Sequence, residues 1–323
     1  MPNIWTHLIF GQELLAEADL ADWIRTEEQQ HVFNMGCQGP DFLFYHHFLP
    51  WQKGKTMNEL GSAMHNEHCG PVLMDLLSHV RHNDHATALY TLGFMLHHIM
   101  DRHMHPYVFS RSGSRKWDHQ RFEVLMDTHI VREKLQLSTW NTPVWKLIDI
   151  DGMLPDGVIT GFKRVVDRFY PALKPHIPER AWNDAIRDMI SVQKLCFDPY
   201  GWKRVLTFYQ AEALVYKRST GTHDVLNIKH RPWLDPTGTG ERYMTSIWDM
   251  WEAARIDGLQ AIHAVLDLWH NEWHTHHSPL PSGRSQAYDK LERILGNRSY
   301  ETGLELSNNR PIVAEDPIWL EAN

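Results

Sequence analysis

The chain is poor in cysteine, in long apolar runs and in clustered positive charge, and each shortage excludes a class of protein. Its 323 residues include three cysteines, an odd and small number that argues against a disulfide framework. No stretch reaches the roughly 18 consecutive apolar residues that a membrane-spanning helix needs. With 40 acidic and 32 basic side chains the formal net charge is -8, so we expect no stable nucleic-acid binding. The first residues, MPNIWTHLIFGQELLAEADL, lack the basic start and long apolar segment of a signal peptide, which predicts a cytoplasmic location.

Strand-like alternation is also scarce, whereas apolar residues recur at helical spacing along most of the chain. This pattern predicts helices at 6–24, 57–81 (interrupted near Gly70 and Pro71), 84–104, 117–135, 156–170, 178–195, 201–218 and 241–273. We expect the helix from 84 to stop at Pro106, because a proline ring disfavours helix in the residue before it. A polar loop is expected at 110–116 and a long loop at 219–240. The predicted fold is an all-α, single multi-helix bundle at 1–277, followed by a C-terminal tail at 278–323 that is irregular or partly disordered.

Histidine is the residue type in excess, with 23 copies against 19 glycines. Its densest stretch is LHHIMDRHMHP at 96–106, in which His97, Asp101 and His105 are spaced four apart and so share one helix face. His119 and Glu123 repeat that spacing on the next predicted helix. Imidazole nitrogens and carboxylate oxygens are zinc ligands, and paired ions suit phosphoryl chemistry. The alternative is a buried polar network or surface i,i+4 pairs, but neither explains the apolar residues that surround His97, Asp101 and His105. We therefore predict a metal cluster between helices.

Five separated segments together resemble the zinc-dependent phospholipase C family, which shares its fold with the S1/P1-type nucleases. Two of these segments are the HxxxDxxxH and HxxxE patterns just described. Upstream, THLIFGQELL resembles the family's N-terminal histidine segment and supplies His7. GCQGPDFLFY resembles its G-x-x-x-P-D loop and supplies Asp41, and LGSAMHNEH resembles the histidine segment that follows and supplies His65.

The resemblance implies two or three bound zinc ions. One ion would be held by Asp41, His65, His97 and Asp101, and a second by His105, His119 and Glu123. A third would be held by His7 and Asp101, so that Asp101 bridges two ions. In secreted members of the family the amine of an N-terminal tryptophan completes the third site, whereas Trp5 is internal here. A two-ion site is therefore an open alternative, and iron or manganese would accept the same ligand types.

The resemblance also implies a phosphodiester hydrolase of phospholipase C type, in which a metal-activated water attacks phosphorus. The substrate would be a small phosphoester or a phospholipid, and Asp41 would be either a ligand or the general base. Two alternatives stay open: an S1/P1-like nuclease that uses the same metal site, and a non-catalytic metal-binding or scaffold protein. An accessible cleft over the metals would favour catalysis, whereas closed sites with four protein ligands would favour a structural role.

The remaining histidines and the cysteines are weaker candidates. We prefer His65 to His68 as the ligand. We expect His98 and His103 to point away from the helix face that carries His97, Asp101 and His105. His46 and His47 follow Asp41 closely and could line the cleft or pack in a loop. Cys37 and Cys69 are expected as buried free thiols.

A stripe of polar residues on the last long helix could edge the cleft, but a solvated face is the simpler interpretation. It comprises His263, Asp267, His270 and His274. Four tryptophans on the same helix are interpreted as core or lid residues, with an apolar pocket as the alternative. They are Trp248, Trp251, Trp269 and Trp273.

Overall fold

Helices make up nearly all of the regular structure in the computed structural model, which describes residues 4–49, 51–115, 117–203, 212–274, 285–313 and 315–320. Within these ranges there are eleven α-helices: α1 Ile4–Glu17, α2 Glu27–Gly36, α3 Phe42–Tyr45, α4 Thr56–Asn66, α5 Cys69–Ser78, α6 His85–Ser112, α7 Asp118–Leu135, α8 Asp156–Phe169, α9 Ala181–Cys196, α10 Ile247–His274 and α11 Gln286–Leu295. One antiparallel ribbon joins β1 Trp233–Leu234 to β2 Arg242–Tyr243. The all-α prediction is confirmed. In the described ranges no helix is both long and apolar enough to cross a membrane.

Helix α6 is the central element of the bundle. Its 28 residues are buried almost throughout, and α1, α2, α5, α7, α8 and α10 all pack against it. A helix that is buried on every side carries apolar residues around its whole circumference, as this one does. Asp84 caps its first turn by accepting a hydrogen bond from the Thr87 N–H at 3.0 Å. Polar side chains on such a helix have no route to water and need partners inside the protein.

The prediction that this helix stops at Pro106 is wrong, since α6 continues to Ser112. Pro106 has no N–H to donate to the carbonyl of Arg102, but Tyr107 and Val108 beyond it are buried in the core and hold the helix in place. Gly303, from the C-terminal part of the chain, lies against that Arg102 carbonyl, where an added Cβ would overlap the oxygen. Tertiary packing thus overrides the local effect of proline. The predicted loop at 110–116 begins later, after Ser112.

The other predicted helices are present with shifted ends. The interruption expected near Gly70 and Pro71 lies at Glu67 and His68, and Pro71 sits in the first turn of α5, where a proline is tolerated. The first helix ends at Glu17, with a short 3₁₀ turn at Ala21–Trp23. Within the prediction for 201–218, residues 204–211 lie outside the described residues. The helix predicted at 241–273 begins at Ile247, and the expected loop at 219–240 contains β1.

The division of the chain at 277 stays a prediction, but the segment beyond it is more regular than expected. Ser285 caps α11, and Leu291 and Leu295 are fully buried where α11 packs on α10 and α5. The expectation of an irregular chain is therefore wrong for Gln286–Leu295. Residues 275–284 of the predicted tail lie outside the described residues. After α11 the chain turns inward and reaches α6.

Candidate metal centre

The fold brings all eight predicted site residues to one place beside α6. We call this set the ligand cluster. Helix α1 supplies His7, the 3₁₀ turn before α3 supplies Asp41, α4 supplies His65, α6 supplies three side chains, and α7 supplies two. Its members are His7, Asp41, His65, His97, Asp101, His105, His119 and Glu123.

Asp41, His65 and His97 form one group with the spacing of metal ligands. The Nε2 atom of His65 lies 3.2 Å from Asp41 Oδ1, and Nε2 of His97 lies 3.6 Å from the same oxygen. His97 Nε2 is also 3.0 Å from Asp101 Oδ2. Three of the four residues that the resemblance assigns to one ion therefore bring their ligand atoms together, and the fourth, Asp101, is next to His97.

The second carboxylate oxygen of Asp101 faces the other way. Its Oδ1 atom lies 3.2 Å from His7 Nε2 and 3.6 Å from His105 Nε2. His7, His97 and Asp101 also form a possible ligand group, and the His7 ring stacks on that of His97 at 4.0 Å. Because each oxygen of Asp101 lies near different imidazoles, this carboxylate could be shared between two ligand groups.

His105, His119 and Glu123 form the third group. His119 Nε2 lies 2.8 Å from Glu123 Oε1, and His105 Nε2 lies 4.0 Å from the same oxygen. The i,i+4 spacing of His119 and Glu123 on α7 brings them together, and the short connection after Ser112 places α7 against α6. This arrangement matches the ligand set that the resemblance implies for a second ion.

Buried polar atoms at the centre of the cluster test whether metal ions fit. Among the described residues, none of the following atoms has a hydrogen-bond partner: Nε2 of His7, His65, His97 and His105, Oδ1 of Asp41, and both carboxylate oxygens of Asp101. Leaving such atoms buried and unsatisfied costs roughly 1–3 kcal/mol each. Imidazole nitrogens and carboxylate oxygens are the donors that zinc accepts, so the residues fit a zinc cluster.

Backbone carbonyls orient three of the imidazoles from behind. The Nδ1 atom of His65 lies 2.7 Å from the Gly61 carbonyl oxygen, and that of His97 lies 3.1 Å from the Cys37 carbonyl oxygen. His105 Nδ1 lies 2.8 Å from the carbonyl oxygen of Tyr300. Since a carbonyl only accepts, each Nδ1 carries the proton, and the Nε2 lone pair is left to face the cluster.

The structure gives a steric reason for the glycine at position 39, just before Pro40 and Asp41 in the loop motif. Its φ of +51° lies in the left-handed region, which glycine adopts without steric cost. A Cβ at this position would overlap the imidazole ring of His97. The loop therefore approaches α6 closely enough to place Asp41 beside His97 only because residue 39 has no side chain.

The electrostatics of the cluster centre on Asp101. Burial by itself would raise the pKa of Asp101, but His105, His97 and His7 outweigh it and hold that pKa well below its ordinary value. Burial lowers the pKa values of His7, His105 and His119. These three rings therefore favour the neutral form that binds metal, and the carboxylate favours the charged form.

Sequence reasoning missed the contribution of Tyr300, which no local pattern marks. Its N–H donates to the His65 carbonyl at 3.0 Å, and its carbonyl accepts from His105. Its ring lies against those of His65 and His98, at centroid distances of 4.8 and 4.5 Å. A single tyrosine in a segment expected to be irregular carries no periodic signal, so only the fold reveals it.

Asp127 lies one turn beyond Glu123 on α7 and binds the start of α1. Its carboxylate accepts the backbone N–H groups of Trp5 at 3.2 Å and Thr6 at 3.0 Å, and it also accepts the Tyr216 hydroxyl at 2.7 Å. It thereby satisfies N–H groups at the start of α1, the helix that carries His7. The Trp5 nitrogen is a peptide nitrogen bonded to Asp127 and has no lone pair for a metal. Among the described residues, those that could hold an ion at the third position are His7, His97 and Asp101.

The weaker histidine candidates lie outside the cluster. His98 Nε2 is 2.9 Å from the Arg298 carbonyl oxygen, and His103 Nε2 is 2.9 Å from Asp257. His68 packs against Phe169. His46 and His47 stack on each other and are not among the described residues that line the cleft.

Two further expectations agree with the structure. Cys37 and Cys69 are buried free thiols, and burial raises the pKa of Cys69 to about 12. In the stripe on α10, His263, Asp267 and His270 are exposed, and the side chain of His274 lies outside the described part of the chain. The four tryptophans of that helix belong to the core or pack against it.

The ligand cluster opens into a cleft of about 330 Å³. Five cluster residues form its floor: Asp41, His65, His105, His119 and Glu123. Aromatic rings form one part of the wall: Phe44, Tyr45, Phe48, Phe109 and Trp117. Aliphatic side chains form another part: Ile4, Val124, Met189, Val192 and Leu214. Among the described lining residues there is no lysine or arginine.

The chain was compared with protein-family models, curated proteins and solved structures. Residues 6–154 match the family model described as zinc dependent phospholipase C. The resemblance seen in the sequence is confirmed over this segment, which contains all eight residues of the ligand cluster. No curated protein and no solved structure matches the chain. Tyr300 lies outside the matched segment.

Proposed function

Taking the match of residues 6–154 to the zinc-dependent phospholipase C family as the premise, we propose that this protein hydrolyses phosphodiester bonds by phospholipase C chemistry. One observation carries the proposal: a buried set of metal ligands opens into a cleft with apolar walls. Such a cleft, with a few convergent polar groups on its floor, is the usual form of a small-molecule site.

The ligand cluster carries negative charge, which favours the binding of cations. Asp41, Asp101 and Glu123 bring three carboxylates together, while burial keeps most of the surrounding imidazoles neutral. Two zinc ions would be held by the sets Asp41/His65/His97/Asp101 and His105/His119/Glu123, and a third by His7 and Asp101. When bound, zinc supplies Lewis-acid stabilisation of a phosphoryl group and lowers the pKa of water.

Asp41 is the residue best placed to accept a proton. Its Oδ1 atom lies within the cluster, while the residue itself forms part of the cleft floor. A water molecule positioned between Asp41 and a bound phosphodiester would transfer a proton to this carboxylate as its oxygen bonds to phosphorus, while the P–O ester bond breaks and the leaving alkoxide takes up a proton to depart as the alcohol. His65 and His97, whose Nδ1 atoms bond to backbone carbonyls, contact Asp41 from inside the cluster.

The cleft favours a small substrate that has an apolar part. Its aromatic and aliphatic walls would pack against acyl or aryl groups, and its volume suits one phosphoester and its immediate neighbours. The nuclease alternative is weaker, because the described cleft residues provide no cation for the neighbouring phosphates of a polynucleotide.

The non-catalytic alternative is also weaker. The group of His105, His119 and Glu123, which lines the cleft, has three residues, whereas a structural zinc site is closed by four protein ligands. Three protein ligands leave a position for water or substrate. The floor of the cleft exposes two of the ligand groups on the same side, which a purely structural cluster would not require.

The test begins with the metal content of protein purified without an affinity tag. We expect two or three zinc ions per chain, and a sharp loss in Asp101→Ala because that carboxylate bridges two ions. Purified holoprotein is then assayed with p-nitrophenyl phosphorylcholine, short-chain phosphatidylcholine and single-stranded DNA. We expect hydrolysis of the first two and little of the third.

The matched pair His119→Gln and His263→Gln makes the assay specific. His119 belongs to the cluster, whereas His263 is an exposed histidine of α10. His119→Gln should lower kcat by at least about 100-fold, as loss of a group acting on the transition state does, and His263→Gln should not change it. A zinc-loaded protein that hydrolyses none of the diesters, or equal activity of the two variants, would overturn the proposal.

A further inference from the structure

A second and larger cavity lies on the other side of α7 from the cleft. Its volume is about 800 Å³, and we call it the basic cavity. Val124 of α7 lines both spaces. The segment after residue 212 also separates them, since Leu214 lines the cleft while Ala213 and Val215 line the basic cavity. A ligand in the basic cavity would therefore sit one wall away from the ligand cluster.

Positive charge distinguishes this cavity from the rest of the molecule. Arg121, Lys217 and Arg218 line it, and among the described lining residues the carboxylate is Asp198, which is buried. The whole chain has a formal net charge of -8, so this concentration of cations is opposite in sign to the protein. A cavity lined by one sign of charge attracts ligands of the other sign.

Two of the cations are oriented by aromatic rings. The guanidinium of Arg121 lies 4.2 Å from the centre of the Trp319 ring, and that of Arg218 lies 4.1 Å from the centre of the Trp140 ring. Within the described ranges neither guanidinium pairs with a carboxylate. A stacked guanidinium keeps its in-plane N–H donors available, and these donors match the oxygens of a phosphate group.

An exposed aromatic residue lines the same cavity, and a second one is close to it in the sequence. Tyr200 lines it and is 84% exposed, and Trp202 two residues further on is 70% exposed. Tyrosine and tryptophan are enriched at the head-group level of phospholipid surfaces, where basic residues meet anionic lipids. Ser219 and Thr220 in the wall add hydroxyl groups that can donate to phosphate oxygens.

We propose that the basic cavity is a second binding site, for a phosphate-bearing anion, in which Arg121 and Arg218 make the direct contacts. The phosphate could belong to an anionic lipid head group or to a soluble phosphate ester, since both present the same oxygens. The proposal does not depend on the reaction in the cleft, because it rests on the charges and geometry behind α7.

The lipid source is tested by sedimenting zinc-loaded protein with vesicles. Vesicles of phosphatidylcholine alone are compared with vesicles of equal parts phosphatidylcholine and phosphatidylserine, and lipid phosphorus is assayed to verify that they stay intact. For this source we expect salt-sensitive binding to the anionic vesicles. Arg121→Gln/Arg218→Gln should weaken it about 30-fold, because each basic residue near such a surface contributes a factor of about five.

The soluble source is tested by titrating the same proteins with inorganic phosphate and with glycerol phosphate. For this source the wild type shows one more phosphate site per chain than Arg121→Gln/Arg218→Gln, and it does not bind the anionic vesicles. The control Arg25→Gln/Arg81→Gln removes equal charge from residues that line other grooves and should leave both measurements unchanged.

Cleft activity toward p-nitrophenyl phosphorylcholine and zinc content should be the same in all of these variants, which separates this proposal from the proposed function. Equal vesicle binding and equal phosphate binding by the wild type and Arg121→Gln/Arg218→Gln would overturn the assignment. So would an equal loss in the Arg25→Gln/Arg81→Gln control, because the effect would then reflect overall charge.

Discussion

Replacing Asp257 by asparagine tests how the helix that carries the metal ligands is fastened to the rest of the bundle. Asp257 on α10 pairs with Arg102 and lies 2.9 Å from His103 Nε2, and both partners follow Asp101 directly in α6. Arg102 is 4% exposed. It also donates to the Leu295 carbonyl at 2.7 Å, at the end of α11. One guanidinium thus joins α6, α10 and α11.

The contribution of the Asp257–Arg102 pair to stability follows from the charge and the burial of its two side chains. Burial by itself would raise the pKa of Asp257, but the bond from His103 and the charge of Arg102 outweigh it and lower that pKa to about 2 from the ordinary 3.8. Such a shift corresponds to about 2 kcal/mol, which water screening at this partly exposed carboxylate reduces to between about 1 and 2. Burial also lowers the pKa of Arg102, so its desolvation offsets part of the gain from pairing.

Removing one partner costs more than the pair contributes, because a buried guanidinium then lacks its counter-charge. We expect Asp257→Asn to lose about 3 kcal/mol at pH 7, near the low end for a broken buried pair, since the Leu295 carbonyl still accepts from Arg102. For a chain of this length that is a decrease of roughly 4–5 °C in the midpoint of thermal unfolding.

The stabilisation that Asp257 provides should change with pH in one direction. A carboxyl whose folded pKa is depressed stabilises the protein above its unfolded pKa, and this contribution is lost as the pH falls through the folded value. Urea unfolding of both metal-free proteins should therefore show a constant difference above about pH 5 that shrinks between about pH 4 and pH 2. The control is Asp267→Asn on the same helix, whose partner Lys290 is about half exposed. This change should cost less than about 1 kcal/mol. A loss at Asp257 no larger than that of the control, or one unchanged at low pH, would refute the reasoning.

Three further predictions concern the site and its supports. Gly39→Ala should lower the free energy of unfolding by at least about 2 kcal/mol and weaken zinc binding about 10-fold or more, because the new methyl group overlaps His97. Both effects are measured by calorimetry and zinc titration. The control is Gly221→Ala, since Gly221 also has a left-handed backbone but has open space around it. Burial raises the pKa of Asp127 to about 6 despite hydrogen bonds from Thr6 and Tyr216. The metal-free wild type should therefore lose up to about 3 kcal/mol of stability as the pH rises from about 4 to about 6, whereas Asp127→Asn should show no such loss in urea unfolding. Removing metal with a chelator should lower the unfolding temperature, and zinc at 1,000 times its Kd should restore about 4 kcal/mol; an unfolding temperature that does not respond to chelator or zinc would contradict a metal centre here.

The local part of the site could be predicted from the sequence because helical spacing is a strong constraint. His97, Asp101 and His105 share a face of α6, and His119 and Glu123 share a face of α7. Once the two helices pack side by side, these residues have little freedom to be elsewhere. Asp41 was found through a loop motif whose glycine has a steric reason, the contact with His97.

The parts that could not be predicted depend on distant packing. Pro106 disfavours helix locally, but the buried residues after it keep α6 continuous. Tyr300 supports His105 across a sequence separation of 195 residues, and nothing near Tyr300 in the sequence indicates this. The regularity of α11 was missed because the abundance of Pro, Ser, Gly and Asn around it outweighed its own apolar spacing. Local patterns therefore identified the ligands, whereas long-range contacts determined what holds them.

The contact between Tyr300 and His105 has a consequence for the order in which the protein is made. Synthesis proceeds from the N-terminus, so all eight ligand residues leave the ribosome long before the carbonyl that fixes the His105 ring. During that interval the His105 imidazole lacks the carbonyl of Tyr300, and Gly303 does not yet pack against the Arg102 carbonyl. The site is completed by a segment made well after all eight ligand residues, so firm retention of metal would report that the chain has been synthesised and folded at least as far as Tyr300.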